Sequence, residues 1–171
     1  MVLDLAAGEA QQREVGAEGQ GAHVHEGTVA SRGTIGRVDS ETRSYRTGNR
    51  ETVLDLTSDC RDFISGRGDG LLHVFVPHAT AGIAIIETGA GSDDDLLAAL
   101  GDLLPADDRW QHRHGSRGHG RSHVMPAVVP PHATVPVVDG RLTLGTWQSI
   151  CLVDLNVDNS ERDVRLSFLA G

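Results

Sequence analysis

The chain has 171 residues and no lysine among them. Schiff-base chemistry, which needs a lysine amine, is excluded, and so is the phosphate-binding P-loop, which ends on a lysine. Fixed cationic contacts must come from arginine, histidine, a helix N-terminus or a metal. Cysteine is scarce: Cys60 and Cys151 lie in apolar surroundings without C-x-x-C spacing. They are read as buried thiols, not as a disulfide or a thiolate zinc site. No apolar run is long enough to span a membrane, and no basic segment followed by an apolar stretch marks a secretory signal. A soluble, cytoplasmic protein without a membrane partner is expected. The formal charge of −9 argues against nucleic acid, whose phosphates need clustered cations.

The length allows one domain with a sizeable core. Residues 1–33, rich in Gly, Ala, Glu and Gln without apolar periodicity, predict a disordered tail, and His23 and His25 within it carry no signal. Residues 34–171 form the predicted domain. "ETRSYRT" and "ETVLDL" are short extended runs separated by "GN", a hairpin-like signal. "TSDCRDFISG" predicts a short helix with a Thr or Ser cap and a stop at Gly66. "GLLHVFVPH" and "AGIAIIE" predict two strands joined at the corner His78–Thr80. "SDDDLLAALGDLLP" predicts a helix capped by Ser92, with a stripe of Leu96, Leu97, Leu100, Leu103 and Leu104, ended by Pro105. In "RDVRLSFL", Val164, Leu166 and Phe168 alternate with Asp163, Arg165 and Ser167, as a half-buried strand requires. The class is α+β: an antiparallel sheet with a few helices on it.

The most biased stretch is "RWQHRHGSRGHGRSH", residues 109–123, with four histidines and four arginines. Neutral imidazoles are common ligands of zinc and similar ions. His112, His114, His119 and His123 lack any H-E-x-x-H spacing, however, and Gly115, Gly118 and Gly120 argue against a rigid cage. The alternative is a flexible polar loop. Arg109, Arg113, Arg117 and Arg121 form a patch suited to a small anion. Elsewhere, His78 at a strand end can project into a cleft, whereas His73 and His132 read as structural. Glu87 can serve as a base, an imidazole partner, a ligand or a cap. "DDD" at 93–95 complements the helix dipole.

Taken in order, "HVFVPHATAGIAIIE", "DDDLL", Trp110-x-His112, Ser122-His123 and "VPVVDGRLTLGTWQSI" resemble the YjbQ family, also labelled secondary thiamine-phosphate synthase. The match runs from about Thr34 to Gly171. The resemblance implies a homotrimer with a histidine-centred site. Catalytic roles fall on His78, Glu87 and His123. Substrate binding falls on Thr80, Arg141, Trp147 and Gln148. A divalent metal, zinc or magnesium, falls on His78, His112 and His123. One departure is that Met125 and Pro126 stand where the family continues a helix with a lysine.

The activity so implied joins a pyrimidine pyrophosphate to a thiazole phosphate with loss of pyrophosphate, and a small phosphorylated molecule is the expected partner. The alternatives are a metal-dependent hydrolase, or a non-catalytic trimeric module that binds a metal or a phosphorylated ligand. In a third reading the histidines are only structural.

Overall fold

A computed structural model of the chain describes residues 38–171. The predicted tail 1–33, with His23 and His25, lies outside the described residues. The order is β1 (Val38–Arg46), β2 (Thr52–Asp55), α1 (Thr57–Ile64), β3 (Gly70–Phe75), β4 (Ala81–Ile86), α2 (Ser92–Leu103), α3 (His119–Ser122), a 3-10 turn (Met125–Ala127), β5 (His132–Val138), β6 (Arg141–Leu142), β7 (Ser149–Asp154) and β8 (Glu161–Ala170). The fold is α+β with antiparallel pairing throughout, but the strands divide into two sheets. One has five strands in the order β1-β8-β3-β5-β6; the other has three, β2-β7-β4.

The two-residue period of β8 decides which face is inside. Val164, Leu166 and Phe168 are buried with Leu72 and Val74 of β3 and Val135 and Val137 of β5. They meet Ile83 of β4, Ile150 and Leu152 of β7, and Cys60, Phe63 and Ile64 of α1. The next residue of β7 along, Val153, points the other way, into a second cluster with Leu100, Leu104, Met125, Val129 and Leu155. The three-stranded sheet is therefore the middle layer, apolar on both faces, which is why "SICLVD" reads as one run rather than an alternation. α2 and the histidine segment cover its far side. Among the described residues, the outer face of the five-stranded sheet keeps Val38, Leu71, Phe75 and Leu169 exposed.

Three local expectations need correction. The "GN" segment joins β1 and β2 but does not pair them, because β1 lies on β8 and β2 on β7. Each run finds a longer partner far along the chain. α1 is capped from Asp55, whose Oδ1 accepts the Thr57 N–H at 2.8 Å; the Thr57 hydroxyl accepts the Ile150 N–H instead. α2 begins after Gly91 with no side-chain cap from Ser92, and Leu103 of its stripe is 60 % exposed. Both cysteines are free and buried, and burial pushes each thiol up to about 12. Among the described residues, no helix is long and apolar enough to cross a membrane.

Candidate metal centre

Pro105 stops the chain leaving α2, which then turns back over the helix end. Trp110 fixes this return: its indole N–H donates to the Pro105 carbonyl at 2.9 Å and its ring packs against the second core cluster. His112 is thereby delivered above α3. The short helix is pinned from below by two buried side chains. Arg121 donates to the Leu104 carbonyl at 3.0 Å and pairs with Glu51, and Ser122 donates to the His119 carbonyl at 2.6 Å. His119 and His123, four residues apart, share one side of this turn. Their Nε2 atoms stand 2.9 Å apart.

All four histidines of the segment converge. One ring nitrogen from each of His112, His114, His119 and His123 can be chosen so that the four lie within 4.8 Å of one another. Ring centroids are 4.0 Å apart for His112–His114, 4.1 Å for His112–His123 and 4.9 Å for His119–His123. Tetrahedral zinc with Zn–N bonds of 2.0–2.1 Å needs ligand atoms about 3.3 Å apart, so a modest contraction closes the shell. His112 and His114 are exposed and His119 and His123 half-buried, which leaves the ion an approach from solvent. Burial, reinforced by the neighbouring imidazoles, lowers the pKa of His112 and of His123 below the ordinary 6.5. Both rings are therefore neutral at neutral pH, the charge state that metal ligation requires.

The glycines build this arrangement rather than loosen it, contrary to the sequence expectation. A Cβ on Gly120 would lie 2.5 Å from the His112 carbonyl oxygen and 2.6 Å from Trp110 Cβ, so only glycine lets the two arms touch. Gly115, at φ +84°, leaves a Cβ only 2.7 Å from both the His119 ring and Asp158.

Asp158 is the residue that sequence reading missed. Its Oδ2 accepts from His119 Nδ1 at 2.5 Å and from the Ser116 N–H and hydroxyl, each at 3.2 Å. The Ser116 backbone bond, with help from His119 and against partial burial, holds this carboxyl below its usual range. The segment "DLNVD" brings it there. Asp154 Oδ1 accepts the Asn156 N–H at 2.9 Å, and Asn156 Oδ1 accepts the Asp158 N–H at 3.0 Å. The spacing Asp-x-Asn-x-Asp, two successive side-chain-to-backbone turns, was the available signal.

The other predicted site residues lie elsewhere. His78 does not join the quartet; its Nε2 accepts the Asp163 N–H at 2.9 Å, in a cleft shared with Asp158, Ser160 and Arg162. Thr80 is buried and bonded to Asn156, and Glu87 follows the end of β4. Arg141 lines a separate cleft with Arg61 and Ile64. Trp147 is 72 % exposed in the turn before β7, where Gln148 Oε1 accepts the Gly145 N–H. None of Thr80, Glu87, Arg141, Trp147 and Gln148 lines the clefts beside the quartet. The arginine patch is largely engaged: Arg109 binds Asp107, Arg117 approaches Asp108, and Arg121 is inside with Glu51. Arg113 borders the cleft of about 310 Å³ that opens on His112 and His119.

Comparison with known proteins agrees with this architecture. Residues 41–171 match the family described as "UPF0047 protein YjbQ-like". A UPF0047 protein of Mycobacterium tuberculosis H37Rv is 62 % identical over 122 residues, covering 71 % of this chain and 92 % of that protein. The UPF0047 protein YugU of Bacillus subtilis is 33 % identical over 117 residues, covering 64 % of this chain and 84 % of its own. A YbjQ-like protein of unknown function from Sulfolobus solfataricus P2 superposes with a TM-score of 0.73 at 26 % identity, over 79 % of this chain and 99 % of that one. A hypothetical protein of Aeropyrum pernix K1 gives 0.70 at 32 % identity, over 78 % and 99 %. These findings correct the activity expected from the resemblance. The family is an uncharacterised one, and neither its description nor the names of these relatives carry a thiamine-phosphate synthase activity. Arg141, His78 and His123, to which the resemblance gave substrate-binding and catalytic roles, line three different clefts or faces. The chain belongs to the UPF0047 family of YjbQ-like proteins.

Proposed function

We propose that this protein binds a divalent first-row transition metal of the zinc class through His112, His114, His119 and His123. The convergence of four ring nitrogens within 4.8 Å carries the reading. An all-nitrogen donor set favours zinc, copper or nickel and disfavours magnesium, which demands oxygen ligands. Asp158 behind His119 supplies the carboxylate that ligating imidazoles commonly have behind them. Elemental analysis of protein purified without chelator or affinity histidines tests this, beside His119→Ala/His123→Ala. About one equivalent of metal in the parent chain, lost in the variant, is expected; a metal-free parent that also takes up no added zinc overturns it.

The homotrimer implied by the resemblance has one supporting observation. The outer face of the five-stranded sheet carries an apolar row that is exposed among the described residues: Leu169 of β8 is opposite both Val38 of β1 and Leu71 of β3. Second copies of this chain are the partner we assign to it, and light scattering on the purified protein measures the stoichiometry.

A further inference from the structure

We propose that Asp158 is the positioning residue of the metal centre, acting through His119 to set how tightly the ion is held. The proposal rests on the reading that the quartet binds metal.

A neutral imidazole has one proton and two nitrogens, and only the bare nitrogen can ligate. The ring of His119 is asked for both. Its Nδ1 faces the Asp158 carboxylate at 2.5 Å, and an ionised carboxylate can only accept. The proton of His119 therefore sits on Nδ1, and Nε2 is left as a lone pair directed at the other histidines. The contact between Nε2 of His119 and Nε2 of His123 at 2.9 Å fits this assignment, because His123 can then be the donor. His119 is thus held in its ligating tautomer before any ion arrives, with its side chain only 8 % exposed.

Asp158 is itself fixed from two sides. Ser116 gives the carboxylate a backbone N–H and a hydroxyl, and the Asn156 side chain holds the Asp158 backbone. Asn156 is tied in turn to Asp154, which is wholly buried against Arg162. The carboxylate is therefore the exposed tip of a connection anchored in the core between β7 and β8. It reaches His119 across 39 residues of sequence. A side chain present only for solubility would have no such chain of support behind it.

The test is a zinc titration with competing chelator on the full chain, with cobalt(II) as a visible probe of ligand geometry. The variants are Asp158→Asn, His119→Ala and both together. Loss of an outer-shell partner of this kind weakens metal binding roughly 10–100-fold, and that is the drop expected for Asp158→Asn. In the His119→Ala background the same substitution should add nothing, because the ring through which it acts is gone. Equal affinity of Asp158→Asn and the parent chain overturns the proposal while leaving the metal site standing. Full additivity in the double variant also overturns it, since the effect would not then pass through His119. No zinc or cobalt binding by the parent chain instead fails the site itself. An independent readout needs neither metal nor variant: long-range proton–nitrogen correlation of the His119 ring. A proton on Nδ1 is expected, and a proton on Nε2 would overturn the assignment.

Discussion

His119 and His123 touch through their Nε2 atoms at 2.9 Å, one helical turn apart, with Asp158 behind the first. This pair is the ordered half of the quartet. His112 and His114 belong to the exposed arm that closes over it. Ligands already in place lose little freedom when an ion binds, whereas an exposed arm must be ordered. His119→Ala or His123→Ala should therefore cost zinc affinity about 100-fold or more, some 2.7 kcal/mol. His114→Ala should cost clearly less. Competition titration of the three single variants gives the ranking, and an equal loss at His114 would show that the exposed arm is ordered before the metal arrives.

Gly120 offers a test that leaves every ligand in the sequence. Alanine there puts a methyl 2.5 Å from the His112 carbonyl and 2.6 Å from Trp110 Cβ. Backbone rather than a flexible side chain must yield, so the His112 arm is pushed away from α3. Overpacking of this kind costs about 1–3 kcal/mol. Gly120→Ala should lose zinc affinity more than it loses stability in urea, because the two sheets do not depend on this contact.

The pH dependence of the metal-free protein follows from its histidines. Burial, first among the causes, lowers His73, His78, His112 and His123 below 6.5. As pH falls through 6.5, the unfolded chain takes up protons that the folded chain resists, so stability declines. A second loss follows in acid. Asp55, held by Thr57, and Asp158, held first by Ser116, have pKa values below 3.8. Their contribution is present above that value and disappears as pH falls through the folded pKa. Urea midpoints measured from pH 8 to pH 3 should fall in two stages; a midpoint flat between pH 7 and pH 5 would contradict the histidine assignment.

The sheets were legible where the pattern was local. Val164, Leu166 and Phe168 announced β8 and its buried face, and the leucines of "DLLAAL" announced α2. Pairing was not legible: nothing in "RTGNRET" reveals that both flanking runs prefer partners beyond residue 149. The site divided in the same way. The density of histidines between 109 and 123 marked the quartet, while the intervening glycines suggested looseness. Their meaning depended on Trp110 and Asp158 being close in space, and single-residue propensity carries no such information. His78 shares a cleft with Asp158, not with the quartet, because its Nε2 is bonded to β8.

Arg162 and Asp154 form an ion pair with both side chains fully enclosed, Nε to Oδ2 at 3.0 Å. Removing one partner leaves a charge in the core, at a cost of about 3–5 kcal/mol. Arg162→Met should show that loss in urea denaturation. It should also weaken zinc binding, since Asp154 supports Asn156 and Asn156 supports Asp158. Arg162→Met/Asp154→Leu, which removes both charges, should recover most of the stability but not the zinc affinity. Recovery of both would mean that the Asx turns stand without Asp154.

The outer sheet face yields the last expectation. Val38, Leu169, Leu71 and Pro136 form one row across β1, β8, β3 and β5, and the first three are 57 %, 41 % and 41 % exposed. Phe75 adds an aromatic ring four residues along β3, 36 % exposed. The row is a contiguous apolar strip across four strands, bordered along β8 by Ser167 and Arg165, and a strip of this kind with a polar rim suits an interface core. Self-association on this face should give a particle of three chains of 18.2 kDa. Leu71→Arg with Phe75→Arg places one cation in the row and a second beside it on the same face, without touching the interior, whose contacts come from Leu72 and Val74. Light scattering should then report a folded single chain of 18.2 kDa. A trimer that survives both arginines would mean that assembly uses another surface, and a parent chain already monomeric at micromolar concentration would remove the need for one.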